Sequence, residues 1–207
     1  ADGSLRLWNG GAVFDNVGTL RKTGGEGDFF IAMPLRNTGA IESRSGTIVL
    51  PNDWTNVGVL RGTATYRTNT LTNAGTVTPG ESSDPDIAQL LISGSLVQAS
   101  SGRLTFEVGT AGVSDLLNVS GHVGFAGTLQ VVNFEGYQPS VGDTFLVMNF
   151  AGFSGAFADV EEVGFGAGVV FEALYSARQL ELRVAAVPEP GTWAMLLAGA
   201  ALLAWRR

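Results

Sequence analysis

A chain of 207 residues, 45% apolar and 15% charged, is long enough to bury a core of its own, and its lack of cysteine excludes disulfides and thiolate metal sites. A net charge of −7 with scattered lysines and arginines excludes nucleic acid as a natural partner, since a phosphate backbone calls for clustered positive charge. Glycine occurs 29 times, about twice its usual share of roughly 7%, and Val, Thr, Phe and Leu recur between Gly, Asn and Ser, the texture of short strands and frequent turns.

The opening stretch, ADGSLRLWNG, carries neither a basic n-region nor an apolar h-region, so a leader is expected either to have been removed or to lie outside a fragment. From Phe14 the sequence begins to repeat itself. FDNVGTL from Phe14, LRNTGAI from Leu35, WTNVGVL from Trp54 and LTNAGTV from Leu71 share the pattern apolar-x-Asn-x-Gly-x-aliphatic, at steps of 21, 19 and 17 residues. A weaker copy, LLISGSL, starts 19 residues further on at Leu90, while LNVSGHV from Leu117 and VGFAGTL from Val123 keep the Gly and the aliphatic residue but lack the Asn. Self-similarity near 20 residues points to a β-helix or a leucine-rich repeat, and the missing leucine ladder and helical segment exclude the second.

Each copy reads as strand, turn, strand. Asn and Gly accept positive φ at low cost, so Asn-x-Gly is the expected corner, with the flanking aliphatic residues pointing inward. Coils stacked about 4.8 Å apart would set Asn16, Asn37, Asn56 and Asn73 above one another in a hydrogen-bonded ladder. An antiparallel sandwich with similar hairpin turns is the alternative, and the near-constant spacing favours stacked coils.

Beyond the repeats, GYQPSVGDTFLVMNFAGFSGAF and GAGVVFEALYSARQLELRV read as longer strands, the second alternating at Leu180, Leu182 and Val184. They are expected to cap the end of the stack, whose open edge would otherwise pair with other chains. The fold class is therefore all-β: a parallel β-helix or β-solenoid with repeats over about 12–130 and a β cap over about 131–186, followed by one C-terminal transmembrane α-helix. The body resembles the β-helical passenger regions of bacterial surface and autotransporter-like proteins over about Phe14 to Asp159. It departs from them at the C-terminus, where they carry an outer-membrane barrel.

Chemistry-bearing motifs are sparse. GGEGDFF at Gly24 resembles a calcium-binding nonapeptide, but Asp28 falls at the fifth position where the pattern wants the sixth, so a turn is expected. Asp84 and Asp86 in SSDPD read as a loop. His122 is the one histidine and is expected in a turn; GFSGA at Gly152 misses the nucleophile-elbow pattern by one position, and GFGAGVV at Gly164 lacks the last glycine of a dinucleotide fingerprint. Asp15, Glu42 and Asp53 are candidate acids for a carbohydrate-active enzyme only if the fold brings them together. Trp8, Trp54 and Tyr66 are candidate sugar-stacking aromatics. No catalytic residue, metal site or cofactor is predicted.

The last 21 residues, VPEPGTWAMLLAGAALLAWRR from Val187, differ in character. Pro188-Glu189-Pro190 breaks helix and strand alike, because each proline fixes φ and removes a donor. Thr192 is placed to N-cap a helix starting at Trp193. From Gly191 to Trp205 no residue is charged, which as a helix spans about 22 Å against a hydrocarbon core of about 30 Å. Trp193 and Trp205 suit the two interfaces, and Arg206 and Arg207 suit the cytoplasmic side, leaving the acidic body outside. A buried core helix is the alternative, but such a helix would show a polar stripe.

Pro-Glu-Pro, hydrophobic helix and terminal arginines, in that order, resemble the PEP-CTERM sorting signal. The resemblance implies a sorting and processing motif at Pro188, Glu189 and Pro190, a membrane anchor at Trp193, Trp205, Arg206 and Arg207, and an exosortase as processing partner in a Gram-negative bacterium that makes exopolysaccharide. The expectation is a non-catalytic structural protein of the cell surface or biofilm matrix, with residues 1–186 as extracellular domain and 187–207 as sorting signal. It is anchored in the inner membrane until processed, with extracellular polysaccharide as a further candidate partner. A glycan-binding adhesin is the runner-up, ahead of a carbohydrate-active enzyme fragment.

Overall fold

The computed structural model describes residues 2–7, 11–80, 87–110 and 112–185, and these form strands and turns with no α-helix among them. The chain runs through three stacks of strands in turn and then begins again. Phe14–Asn16 is followed by Thr19–Lys22, then Asp28–Ala32, Leu35–Asn37 and Ala40–Ser43, then Thr47–Val49, Trp54–Asn56 and Val59–Gly62. Strands one pass apart pair in parallel: Asp28–Ala32 with Gly3–Arg6 and Thr47–Val49 in the first stack, Phe14–Asn16 with Leu35–Asn37 in the second, and Thr19–Lys22 with Ala40–Ser43 in the third. In the next two passes one long strand, Thr65–Asn73 and then Gln89–Gln98, serves both the first and second stacks, with a register shift between Arg67 and Thr70 where it bends. The third stack is a seven-stranded parallel sheet ending at Asp159–Val163.

Register puts like side chains above like. In the third stack Leu20, Ile41, Leu60, Val77, Leu104, Leu129 and Val160 occupy one row, and in the first Phe29, Ile48, Tyr66, Ile92 and Val119 occupy another. Ile41, Ile48, Leu60, Tyr66, Ile92 and Leu104 are fully buried, so the core is a continuous column between the stacks. Each such side chain contributes roughly 1.5–3 kcal/mol by leaving water, and only the neighbouring passes make that burial possible.

Parallel pairing thus runs on past residue 130, and antiparallel pairing enters with Gln179–Ala185, which pairs with both Thr144–Asn149 and Val170–Tyr175. Leu180, Leu182 and Val184 alternate inward as their spacing predicts. Behind them Phe125, Phe150, Phe153, Phe157 and Tyr175 form an aromatic cluster, with ring centroids 5.1–5.9 Å apart around Phe125.

Two expectations need correction. LLISGSL does not continue the Asn-x-Gly corner: Leu90 pairs with Leu117 in the first stack, and Leu96 is the residue that follows Leu71. Nor does the corner depend on positive φ. Outside glycine only Asp53 and Glu135 have it among the described residues, and Gly39, Gly58 and Gly75 do not. Glycine is needed there because passes approach too closely for a side chain: a Cβ on Gly58 would lie 2.3 Å from the Gly39 carbonyl oxygen.

Candidate functional site

Where the second stack turns into the third, the asparagines form the expected ladder. Asn16 Nδ2 donates to Asn37 Oδ1 at 2.7 Å, Asn37 to Asn56 at 3.0 Å, and Asn56 to Asn73 at 2.9 Å. Each amide also reaches backbone, as when Asn56 Oδ1 accepts from Gly58 N–H and its Nδ2 donates to the Gly58 carbonyl. A fifth amide joins that the repeat pattern missed: Asn73 Nδ2 donates to Gln98 Oε1 at 2.8 Å across 25 residues. Gln98 Nε2 is buried without a partner, because the next residue in this row is Phe125. The ladder is a directional chain of buried hydrogen bonds, and its chemistry is structural.

The candidate acids are not brought together. Asp15 lies in the second stack, 4.0 Å from Arg36; Asp53 occupies a left-handed turn position; Glu42 is fully buried in the third stack. Arg21, Arg44 and Arg61 converge on Glu42, at 2.9, 2.5 and 3.3 Å. Burial alone would raise its pKa, and hydrogen bonds from Arg44, Arg21 and Arg61 overcome this to hold the carboxyl below its usual range. Glu42 is therefore an anionic clamp between passes.

The candidate aromatics fail for the same reason of burial. Trp54 is buried with its indole N–H on the Leu35 carbonyl, and fully buried Tyr66 donates its hydroxyl to backbone carbonyl oxygen, so neither offers a face to a sugar. Trp8, Asp84 and Asp86 lie outside the described residues. Asp28 spends its carboxylate on Arg67.

His122 starts a strand instead of sitting in a turn, and its Nε2 lies 3.0 Å from the hydroxyl of Ser154 in GFSGA. Among the described residues no carboxylate bonds to the imidazole, so this exposed pair lacks the group that would orient a general base. Asp115, which the sequence did not mark, is buried with both carboxylate oxygens occupied by the backbone N–H groups of Ala88 and Glu107, at 2.8 and 2.9 Å. Burial pushes its pKa up to about 7, with the charge of Glu107 adding to the rise.

The address lies elsewhere in the chain. Residues 186–207 match the family model of the PEP-CTERM protein-sorting motif. This chain carries the PEP-CTERM sorting motif. The motif implies an exported surface protein with a membrane-anchored C-terminal sorting signal and an exosortase as its processing partner. No curated protein matches the chain. Pro188, Glu189, Pro190, Trp193, Trp205, Arg206 and Arg207, and the helix expected between them, lie outside the described residues. Among the described residues no helix is long and apolar enough to cross a membrane.

Proposed function

We propose that this is a non-catalytic structural protein of the cell surface or biofilm matrix. Its body is a parallel β-solenoid over most of residues 1–186, closed at one end by an antiparallel hairpin, and residues 187–207 hold it in the inner membrane until an exosortase cuts near Pro188-Glu189-Pro190. The PEP-CTERM motif carries the reading. The solenoid is supported by the repeated order of first, second and third stack and by the row of amides from Asn16 to Gln98. The non-catalytic role is supported by how the acids are used: Glu42 and Asp28 are tied to arginines, and Asp115 to backbone.

Proline removes backbone donors on either side of Glu189, so a processing enzyme meets an extended segment with few hydrogen bonds to break. Released from its apolar tail, an acidic β-rich body would join the surface layer or matrix. The test is mass spectrometry of the C-terminus in the native host. The mature protein should end near Pro190 when the exosortase is present and keep Arg207 when that enzyme is deleted. Intact Arg207 on surface-shed protein from the wild-type host refutes the proposal.

A further inference from the structure

The corner between the first and second stacks is built of small residues. A Cβ on Gly94 would lie 2.0 Å from the Thr68 carbonyl oxygen, so that position stays bare, and Ser93 and Ser120 stand beside it. Bare corners stacked above one another leave a valley. Its first depression, about 540 Å³, runs from Asn52 and Asn69 to Ser120; a second shares Ser120 and continues to Asn149 and Arg178; a third joins at Leu91 and Asn118. The result is one shallow trough along the stacking direction, crossing several passes at about 4.8 Å each.

Its chemistry is chiefly that of hydrogen-bonding amides and hydroxyls, with Arg67 along its wall and Arg178 at its far end as the charged groups. Asn118, Asn149 and Gln179 make a second, surface ladder of amides, with Asn149 Nδ2 donating to Asn118 Oδ1 at 2.9 Å and Gln179 Nε2 to Asn149 Oδ1 at 3.3 Å. Asn52 and Asn69 add amides on the opposite flank, and Ser93 and Ser120 add hydroxyls to the floor. Amides and hydroxyls both donate and accept, as the hydroxyls of a sugar do. Arg67 is already neutralised by Asp28, and a body within a chain of net charge −7 repels polyanions.

We propose that this trough binds a linear, uncharged polysaccharide lengthwise, each sugar unit advancing by close to one strand spacing. This rests on the reading of the chain as an exported surface protein. It assigns recognition to amides and hydroxyls on the outer face, where the sequence pointed to Trp54 and Tyr66.

The test is the electrophoretic mobility of the full chain, held in detergent micelles, in native gels cast with hydroxyethylcellulose or with alginate. Retardation is expected in the neutral polymer and not in the polyuronate. Asn69→Trp and Ser93→Trp, which fill the trough from its flank and its floor, should each weaken apparent binding by about tenfold or more, while Thr19→Trp in the third stack leaves it unchanged. Each variant is also checked for the wild-type thermal transition, and either trough variant that keeps it decides the outcome. If both unfold, wild-type mobility in the two polymers decides it. No retardation by the neutral polymer, retardation by alginate alone, or full retention of binding by a folded trough variant overturns the proposal. Failed binding with normal C-terminal processing removes the trough and leaves the export reading standing; failed processing with normal binding does the reverse.

Discussion

Asn56→Ala tests whether the buried amide row holds the passes together. Asn56 accepts from Asn37 Nδ2 and Gly58 N–H and donates to Asn73 Oδ1 and the Gly58 carbonyl, and its side chain is fully buried. Alanine strands Asn73 Oδ1 and Gly58 N–H and leaves Asn37 Nδ2 with a single contact of 3.5 Å to the Val59 carbonyl oxygen. Each stranded group costs about 1–3 kcal/mol, and water entering the vacated space recovers part of this, so a net loss of about 3 kcal/mol is expected. Asn16→Ala removes an amide from the edge of the row, at 7% exposure, and strands only Asn37 Oδ1, where water can reach, since the Ala40 carbonyl keeps its place in the pairing of Ala40 with Thr19; about 1 kcal/mol is expected. Urea denaturation of both variants reads the difference as a shift in midpoint at constant slope. Equal losses at Asn56 and Asn16 would refute the argument, because they would mean that a ladder partner on both sides contributes nothing beyond one on a single side.

The corner glycines make a parallel test: Gly58→Ala should cost about 1–3 kcal/mol by forcing passes apart, whereas Gly18→Ala, with nothing within 4 Å of the new Cβ, should stay within about 0.5 kcal/mol by the same denaturation assay. Asp115 binds a proton in the folded state up to about pH 7 and in the unfolded state only to about its ordinary 3.8, so folding takes up a proton between these values and stability falls as pH rises through that window. The fall is at most about 4 kcal/mol, and Asp115→Asn should remove that part of the pH dependence in melts between pH 4 and 8. Leu197→Arg, near the centre of the apolar segment, should cost roughly 2.5–3.5 kcal/mol of membrane insertion, read as a shift of the protein from the membrane to the soluble fraction in an exosortase-deficient host.

What the sequence could show depended on whether one residue type marked one structural position. Asn16, Asn37, Asn56 and Asn73 did so, and the ladder was legible as a spacing. It became illegible at Gln98, where a longer connection after Pro79 stretched the step and the amide changed from Asn to Gln. Gly94 then drew the alignment to the wrong corner, because a glycine excluded by close backbone looks the same in sequence whichever corner it occupies. Exposure was the other blind spot. Trp54 and Tyr66 have polar tips that suit either a sugar or a buried carbonyl, and only the register of their strands decides which. Asp115 left no signal at all, since its partners are backbone groups that carry no sequence identity. The PEP-CTERM motif was legible because it is contiguous and read in order.

The amide ladder also bears on how such a chain changes length over evolutionary time. Every rung offers the same acceptor on one side and the same donor on the other, whether the step to the next is 21, 19 or 17 residues. A duplication or deletion of one whole pass therefore rejoins rung to rung, whatever the lengths of the connections it carries. Gain or loss of a single residue inside a strand instead turns the buried Asn and Leu outward together and the residue between them inward through the rest of that strand. Variation in related chains should accumulate in units of a pass, with connection lengths drifting freely and strand lengths holding still.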